Sequence, residues 1–303
     1  MGARLNEEAK LEYAISILIP TFNRSRQLSR ILDNLALQQL PESVQIVVSD
    51  NASSDDSKEM LSAFAASKKL PNLKCIFQDQ NIGPLANWKA CLKEASARFV
   101  HWHWSDDQVD SGFYDAALIH LKEAETVVLF PARYAREEAN NVKPLQPLYI
   151  PSPRDKRASP NQLLRHKVGR HRLPVSPLAY ILPVGACQRV LIDNTVEDDV
   201  GIGINDFATG YDDLMILEAL LHANKVMIDT TKTVYMMRHD ESISMLESGK
   251  GNHIRYAYAR LAWCKARGFF SFGVILDCAR LIVFGHLRAL STVLLGNPFR
   301  PSI

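Results

Sequence analysis

Acidic side chains follow two of the apolar runs that the sequence predicts as strands. The run 44–48 leads into Asp50, and the run 98–104 leads into Asp106 and Asp107. Such carboxylates can accept hydrogen bonds from a nucleoside, and they can hold Mg²⁺ or Mn²⁺, because both cations prefer hard oxygen ligands. These residue types therefore suit a nucleotide diphosphate, although acids after strands also serve as turn formers and helix caps.

Other strand ends carry residues that deserve the same attention. Arg24 follows the first predicted strand, at 15–19, and an Arg there can neutralise a diphosphate. The residues just after the first three strands, or early in the next helix, also include Pro20, Thr21, Asn51, Asn81, Gly83 and Asn87. His101 and His103 alternate with two Trp residues in the fourth run, and we interpret them as packing groups rather than metal ligands.

The elements that must position these residues alternate along the first part of the chain. Apolar runs predict strands at 15–19, 44–48, 73–77 and 98–104, and amphipathic stretches predict helices at 25–40, 57–66 and 85–97. This β-α-β-α-β-α-β order predicts an α/β fold with a mostly parallel sheet flanked by helices. Ligands on such sheets bind at the carboxyl ends of the strands.

The composition changes after residue 130. Nine of the 15 prolines lie in 131–183, and 154–172 carries seven Lys or Arg residues against Asp155 alone. The range 190–224 then has eight acids and no Lys or Arg. A helix is expected at 214–223, short strands at 225–230 and 233–237, and helices from 252 onwards. We divide the chain into a first segment at 14–130, a second segment at 131–250 and a helical tail at 251–303.

Charge and cysteine usage exclude several classes of protein. The 35 Lys and Arg residues nearly balance the 33 Asp and Glu residues, so a chain-wide nucleic-acid binder is not expected. Five Cys residues without a C-x-x-C pair fit a reducing cytosol better than a disulfide or zinc scaffold. The apolar stretch 269–296 contains four charged or titratable residues, which are too many for a spanning helix. It either packs in the core or lies in a membrane interface.

Competing nucleotide motifs are missing from the sequence. There is no G-x-x-x-x-G-K-[ST] segment and no complete dinucleotide fingerprint, and neither G-x-S-x-G nor H-E-x-x-H occurs. Four other segments stand out: S-I-L-I-P-T-F-N-R (16–24), V-V-S-D-N-A-S-S-D-D-S (47–57), N-I-G-P-L-A-N (81–87) and W-S-D-D (104–107). Together they resemble the nucleotide-sugar half of a family 2 glycosyltransferase of the GT-A fold, as found in bacterial polysaccharide and O-antigen synthesis.

The resemblance makes 14–130 the nucleotide-sugar-binding half and 131–250 the acceptor-binding half, and it implies a role for each matching residue. Thr21 and Arg24 would line the nucleotide pocket, and Asp50 would bind the base. Asp106 would face the ribose or sugar, whereas Asp107 would bind a divalent metal. His239, in V-Y-M-M-R-H-D-E-S-I-S (234–244), would reach the metal or the diphosphate. The remaining nucleotide-site residues implied by the resemblance are Pro20, Asn51, Asn81, Gly83 and Asn87.

The catalytic base implied by the resemblance lies in G-Y-D-D-L-M-I-L-E-A-L (210–220). Family members usually carry Glu-Asp, and here the match is Tyr211-Asp212, or Asp212-Asp213 with a shift of one residue. Asp212 is the preferred base and Asp213 the alternative.

The function expected from the resemblance is inverting, metal-dependent transfer of a hexosyl or deoxyhexosyl group from a nucleotide-diphosphate sugar. The acceptor would be a glycan or a polyprenyl-diphosphate-linked sugar in lipopolysaccharide synthesis. We expect a cytoplasmic protein, with peripheral attachment to the inner membrane suggested by the basic segment and the tail. A nucleotidyltransferase and a non-catalytic nucleotide- or sugar-binding protein are the alternatives.

Overall fold

The computed structural model describes residues 12–138, 141–170, 173–193, 208, 210–238, 252–269, 274–276, 278–280 and 282–283. The strands are β1 (Tyr13–Thr21), β2 (Val44–Asp50), β3 (Leu73–Phe77), β4 (Ala97–Trp102), β5 (Gln108–Val109), β6 (Thr126–Leu129), β7 (Ala132–Glu138), β8 (Asn141–Tyr149), β9 (Tyr180–Pro183), β10 (Lys225–Ile228) and β11 (Val234–Met237). The helices are α1 (Ser25–Leu37), α2 (Ser57–Ala66), α3 (Pro84–Lys93), α4 (Phe113–His120), α5 (Pro160–Arg170), α6 (Val184–Leu191), α7 (Tyr211–His222) and α8 (Asn252–Ala266).

Seven strands form one large sheet in the order β10-β6-β9-β4-β1-β2-β3. Strand β9 runs antiparallel to both of its neighbours, and the other pairings are parallel, so six of the seven strands point the same way. This arrangement confirms the predicted α/β fold with a mostly parallel sheet flanked by helices.

The central strands have continuous apolar sequences because both faces of the sheet are covered. Ile17, Leu18 and Ile19 of β1 are fully buried, as are Val47 and Val48 of β2. Continuous rather than alternating apolar sequence is typical of such parallel strands. Helix α1 buries a single stripe against this sheet, formed by Leu28, Ile31, Leu32 and Leu35.

A second, four-stranded sheet has the order β5-β11-β7-β8. We refer to it as the small sheet. Strand β11 pairs with β7 in parallel and with β5 in antiparallel fashion. Because β5 begins directly after Asp107, the small sheet lies beside the turn that carries the acidic pair. Of its four strands, the sequence predicted β11 alone.

Helix α7 ends at His222, and β10 begins at Lys225 with the same direction as β1. The end of α7 therefore lies near the amino edge of the large sheet, and its first residues lie toward the carboxyl edge. Gly210 precedes the helix with a φ of 97°, and a Cβ there would stand 2.9 Å from the Cβ of Ala259 on α8. Helices α7 and α8 are packed so closely at this point that a side chain at position 210 would clash with Ala259.

The predicted elements of the first part of the chain are present with ends shifted by a few residues, and the ends of two helices differ most. Helix α1 ends at Leu37 rather than at 40, because Gln39 adopts a φ of 48°. Helix α3 ends at Lys93 rather than at 97, because the chain already enters β4 at Ala97. Both proposed halves contribute strands to the large sheet, and their division by function stays a prediction.

The described part of the tail has one buried face and one exposed face. Residues 274–276, 278–280 and 282–283 are helical. Val274 and Cys278 are buried in the core, whereas Ile275, Leu276 and Val283 are each at least half exposed. No helix within the described ranges is both long enough and apolar enough to cross a bilayer.

Candidate active site

The ends of β1 and β2 lie side by side at the carboxyl edge of the large sheet. Thr21 pairs with Asp50 in the strand register, and the Asn51 amide N–H donates to the Thr21 carbonyl at 3.0 Å. Pro20 pairs with Ser49 one step earlier. The buried Thr21 hydroxyl has no hydrogen-bond partner among the described residues, so a ligand at this edge can provide one.

Asp50 holds the loop that follows β2. Its buried carboxylate accepts hydrogen bonds from the Ser53 amide, at 3.2 Å, and from the Ser53 hydroxyl. The Ser53 hydroxyl in turn accepts from the Asn23 amide at 2.8 Å, which ties the loop after β2 to the loop after β1. A carboxylate has about four acceptor positions, so Asp50 can still bind a donor group of a ligand.

Two asparagines fix the loop between β3 and α3. Asn51 Nδ2 donates to Asn81 Oδ1 at 3.0 Å, and Asn51 Oδ1 accepts from the Ile82 amide at 2.9 Å. The Gly83 amide donates to Asn81 Oδ1 at 2.9 Å. Gly83 has a φ of 81°, a left-handed conformation that favours glycine, immediately before Pro84 starts α3.

Asn87 supports the strand ends from below. Its buried amide nitrogen donates to the Ser49 carbonyl at 3.0 Å, and its oxygen accepts from the Ser49 hydroxyl at 2.6 Å. The same nitrogen reaches the Thr21 carbonyl at 3.4 Å. These bonds join α3 to β1 and β2, so Asn87 fixes the positions of these two strand ends.

The acidic pair sits on the turn that follows β4. The Asp107 amide donates to the Trp104 carbonyl at 3.2 Å. Asp107 Oδ1 accepts from the amide of Met237, the last residue of β11, at 2.9 Å. Burial, together with the neighbouring charge of Asp106, raises the pKa of the Asp107 carboxyl well above its usual range. Asp106 is half-buried and lines a cleft beside α1.

Asp107 suits a divalent cation by its chemistry. Burial disfavours the ionised form of this carboxyl, and a nearby positive charge would stabilise that form. Mg²⁺ and Mn²⁺ prefer oxygen ligands. Three His, Cys, Asp or Glu side chains do not converge on one point anywhere in the described ranges. His239, the other predicted metal ligand, lies outside the described residues.

Strand pairing brings the predicted carboxylates to one edge. Strand β1 lies between β2 and β4, and all three run in the same direction. The strand ends that lead to Asp50 and Asp107 are therefore two strand spacings apart, about 10 Å. Arg24 lies between the end of β1 and the start of α1, on this same edge.

Asp212 and Asp213 begin α7 and occupy different environments. The half-buried Asp212 accepts a hydrogen bond from the Tyr256 hydroxyl of α8 at 2.6 Å. Burial raises the pKa of the Asp212 carboxyl to about 6, and the Tyr256 bond opposes part of that rise. A carboxylate with such a pKa is well matched to accept a proton near neutral pH.

Asp213 is enclosed by two cations. Lys167 Nζ of α5 lies 2.7 Å from Asp213 Oδ1, and Arg260 Nε of α8 lies 3.2 Å from Asp213 Oδ2. These cations hold the pKa of the Asp213 carboxyl well below its usual range, although burial alone would raise it. All three side chains are buried, so Asp213 joins α5, α7 and α8, and its geometry does not favour a role as base.

Sequence reasoning missed a second buried acid on α7. Glu218 accepts hydrogen bonds from Arg189 Nε, Trp263 Nε1 and Arg267 Nε, each at 3.0 Å. Glu218 lies five positions after Asp213, with apolar residues on both sides of it in the sequence. This isolated charge was the signal from which its role could have been predicted. Its partners come from α6, α8 and the residue just after α8, so Glu218 holds these helices together.

His101 of β4 and His103, which directly follows that strand, are packing groups, as the sequence indicated. His101 is fully buried, with Nδ1 2.9 Å from the Tyr114 hydroxyl and Nε2 2.8 Å from the Leu178 carbonyl. Burial lowers the pKa of His101 to about 3 and that of His103 to about 4. Both rings are therefore neutral at physiological pH.

Comparison with known proteins places these features in a family. Residues 16–176 match the family described as Glycosyl transferase family 2. A beta-1,3-glucosyltransferase of Campylobacter jejuni, named for GalNAc(5)-diNAcBac-PP-undecaprenol, is 34% identical over 100 residues, which is 32% of this chain and 31% of the relative. The TarS poly(ribitol-phosphate) beta-N-acetylglucosaminyltransferase of Staphylococcus aureus is 23% identical over 245 residues, or 80% of this chain and 37% of TarS. The chain thus spans about a third of the length of these curated relatives.

Solved structures share the fold. The structure of S. aureus TarS 1-349 with UDP-GlcNAc aligns with a TM-score of 0.56 at 18% identity, over 96% of this chain and 94% of that one. A mannosyltransferase of Pyrobaculum calidifontis in complex with GDP-Man and Mn²⁺ aligns with a TM-score of 0.50 at 13% identity, over 95% and 90% of the two chains. At these identities the likeness shows the fold alone.

The hydrogen bond from Tyr256 gives a testable pKa for Asp212. Removing it in Tyr256→Phe should raise the pKa of the Asp212 carboxyl above its value of about 6, because the lost bond favours the ionised form. A hydrogen bond to a charged group contributes about 1.5–3 kcal/mol, which corresponds to roughly a tenfold or larger change in the ionisation constant. Carbon-13 NMR of labelled aspartate carboxyls against pH measures this, with Asp212→Asn providing the assignment.

Tyr258→Phe is the matched control, because Tyr258 lies on the same helix and its side chain is partly exposed. It should leave the Asp212 titration where it is in the wild-type protein. A Tyr256→Phe titration at or below the wild-type midpoint would contradict the environment described for Asp212.

Proposed function

The chain belongs to glycosyl transferase family 2, and on that premise we propose that it transfers a sugar from a nucleotide-diphosphate donor to an acceptor hydroxyl, with inversion at the anomeric carbon. The observation that carries this proposal is the meeting of Thr21, Asp50 and the Asp106-Asp107 pair at one edge of a parallel sheet. Ligands of α/β sheets bind at this edge.

The donor nucleotide is proposed to lie across the ends of β1 and β2. Asp50 would accept a hydrogen bond from the base, and the unpartnered Thr21 hydroxyl would bind the same nucleotide. Phe22, which is 42% exposed at the end of β1, offers an aromatic face for the base. Asp106 would accept from the ribose or the sugar, and Arg24 would neutralise charge on the diphosphate.

Asp107 is the residue that would hold a divalent cation in this proposal, together with His239. When bound, Mg²⁺ or Mn²⁺ would stabilise the negative charge that grows on the departing nucleotide diphosphate. Support comes from the buried, hard oxygen donor of Asp107 and from the Mn²⁺ in the mannosyltransferase complex with which this chain shares its fold.

Asp212 is the proposed catalytic base. It would take the proton of the acceptor hydroxyl while that oxygen forms a bond to the anomeric carbon and the bond to the diphosphate oxygen breaks. The bonding electrons leave with the nucleotide diphosphate, so a single displacement inverts the configuration. The raised pKa of Asp212 supports this role, since a base with a pKa near 6 is ionised at neutral pH and still accepts a proton.

We further propose an acceptor from surface polysaccharide synthesis, carrying a glycan or a lipid-linked diphosphate, and a hexosyl or deoxyhexosyl donor. The relatives support this class, because one is named for an undecaprenol-linked substrate and another for poly(ribitol-phosphate). Activity with a lipid-linked acceptor would place the enzyme at the cytoplasmic face of the inner membrane. The exposed Ile275 and Leu276 of the tail would contribute apolar surface for peripheral attachment.

Substituting the base tests the reaction directly. Asp212→Asn should retain nucleotide binding and lose at least about a hundredfold in transfer rate, since general base catalysis contributes roughly 10²–10⁴-fold. A panel of nucleotide sugars is incubated with the wild-type protein, and the released nucleotide diphosphate is measured to identify the donor before the variants are compared. Asp33→Asn, an exposed change of the same kind on α1, should behave as the wild-type protein does.

The outcomes separate the alternative functions. An unchanged transfer rate in Asp212→Asn would show that another residue is the base. Release of pyrophosphate from a sugar phosphate and a nucleoside triphosphate would instead indicate a nucleotidyltransferase. Nucleotide binding without turnover of any donor would favour a non-catalytic binding protein.

Flotation with lipid vesicles tests membrane attachment. Replacing both Ile275 and Leu276 by Ser should lower binding to vesicles of phosphatidylglycerol and phosphatidylethanolamine, because about 0.8 kcal/mol is lost for each buried methylene removed. Ile119→Ser, at a 67% exposed position on α4, is the control and should leave flotation unchanged. Equal flotation of all three proteins would overturn the attachment site.

A further inference from the structure

A cleft of about 190 Å³ lies between α1 and the small sheet. Arg26 and Arg30 of α1 line one side of it. Glu137 of β7 and Arg238, which directly follows β11, line the other, and Asp106 borders the same space. No role assigned above involves the three arginines or Glu137.

Positive charge is in excess in this cleft. Glu137 is paired with Arg30 and lies 4.0 Å from the exposed Arg26. The guanidinium of Arg238 stacks on the ring of Tyr134 at 4.1 Å from its centroid. Among the described residues that line the cleft, three cations therefore face two carboxylates, Glu137 and Asp106, and neighbouring side chains already position Arg30 and Arg238.

An arginine cluster of this kind suits a phosphate group. Guanidinium groups bind phosphate oxygens through paired N–H donors, and a group that is already held in position loses less entropy on binding. The volume is below the roughly 300 Å³ typical of pockets for drug-sized ligands. The cleft therefore has room for a phosphate or diphosphate group.

We propose that this cleft binds a phosphate or diphosphate group of the sugar acceptor. The proposal rests on the function proposed above, in which the diphosphate of the donor lies against Asp107 and the ends of β1 and β2. Asp106 borders the cleft while Asp107 contacts the backbone of β11, so an acceptor phosphate would lie next to the donor site. The exposed Arg26 and Arg238 would be the first groups that an incoming anion meets.

Calorimetric titration with methylenediphosphonate tests the cleft, because this stable compound mimics a diphosphate. The full chain is first saturated with UDP, or with GDP if GDP binds more tightly, in the presence of Mn²⁺. The probe should bind to this complex, and Arg30→Gln and Arg238→Gln should each weaken its binding about tenfold, since a hydrogen bond to a charged group is worth about that much. Glu137→Gln should tighten binding, because Arg26 and Arg30 lose a competing carboxylate.

Arg98→Gln is the matched control, because Arg98 is an exposed arginine of β4 at the opposite edge of the large sheet. It should leave the affinity for the probe unchanged, and thermal melting of each variant checks that the fold is retained. The nucleotide affinity should be the same in all four variants and in the wild-type protein.

Several results would overturn the proposal. Competition between the probe and the nucleotide would assign the cleft to the donor, and equal binding of the probe to the Arg30 and Arg238 variants would exclude these arginines from the site. If the probe does not bind to the nucleotide-saturated protein, the cleft is not a phosphate site, and the proposed function is unaffected. If neither nucleotide binds, the proposed function fails, and the same titrations on the nucleotide-free protein still decide whether the arginines bind the probe.

Discussion

Hydrogen bonding among the parallel strands β2, β1 and β4 is the constraint on which the site depends. Thr21 pairs with Asp50, and Leu18 pairs with Trp102, so the three strands end at the same edge. A slip of one residue in either pairing would turn the side chains of a whole strand to the opposite face. The apolar core on both sides of the sheet prevents that slip, and the acids beyond the core are thereby held in one place.

Buried charge fixes the position of α7, which begins with the proposed base. Asp213 joins α7 to Lys167 and Arg260, and Glu218 joins α7 to Arg189 and Arg267. Breaking a buried pair by removing one partner is strongly destabilising, because the remaining charge is left without compensation. The two acids therefore hold α7 against its neighbours. Asp212, one position before Asp213, is left with the Tyr256 hydroxyl as a neutral partner and a pKa suited to proton transfer.

Much of this arrangement could be predicted from sequence, because the strand ends carry local signals. Apolar runs followed by Asp50 and by Asp106-Asp107 correctly predicted that these acids follow strands of one sheet, and the family resemblance implied the chemistry proposed for them. The resemblance is confirmed by the family match over 16–176. The ion pairs of Asp213 could not be predicted, since Lys167 lies 46 positions earlier, in a basic stretch that reads as solvated surface. Only tertiary packing shows that one lysine of that stretch is buried.

The antiparallel strand β9 and most of the small sheet also escaped prediction, for a related reason. Strand β9 is four residues long and enters the sheet between β4 and β6, which precede it in the chain. Strand β5 has only two residues, and its pairing with β11 joins positions more than 120 residues apart. Strands as short as β5 and β9 show little periodicity in the sequence, so their formation depends on long-range pairing. The Arg26–Arg30–Glu137–Arg238 cleft forms where α1 meets this small sheet.

The central claim is that the carboxylates after β2 and β4 bind a single nucleotide diphosphate together. Isothermal titration of UDP and GDP in Mn²⁺ into the wild-type protein, Asp50→Asn and Asp107→Asn tests this most directly. The account predicts that at least one nucleotide binds the wild-type protein and that each substitution weakens it about tenfold or more. Wild-type affinity in both variants, or binding of neither nucleotide to the wild-type protein, would contradict it.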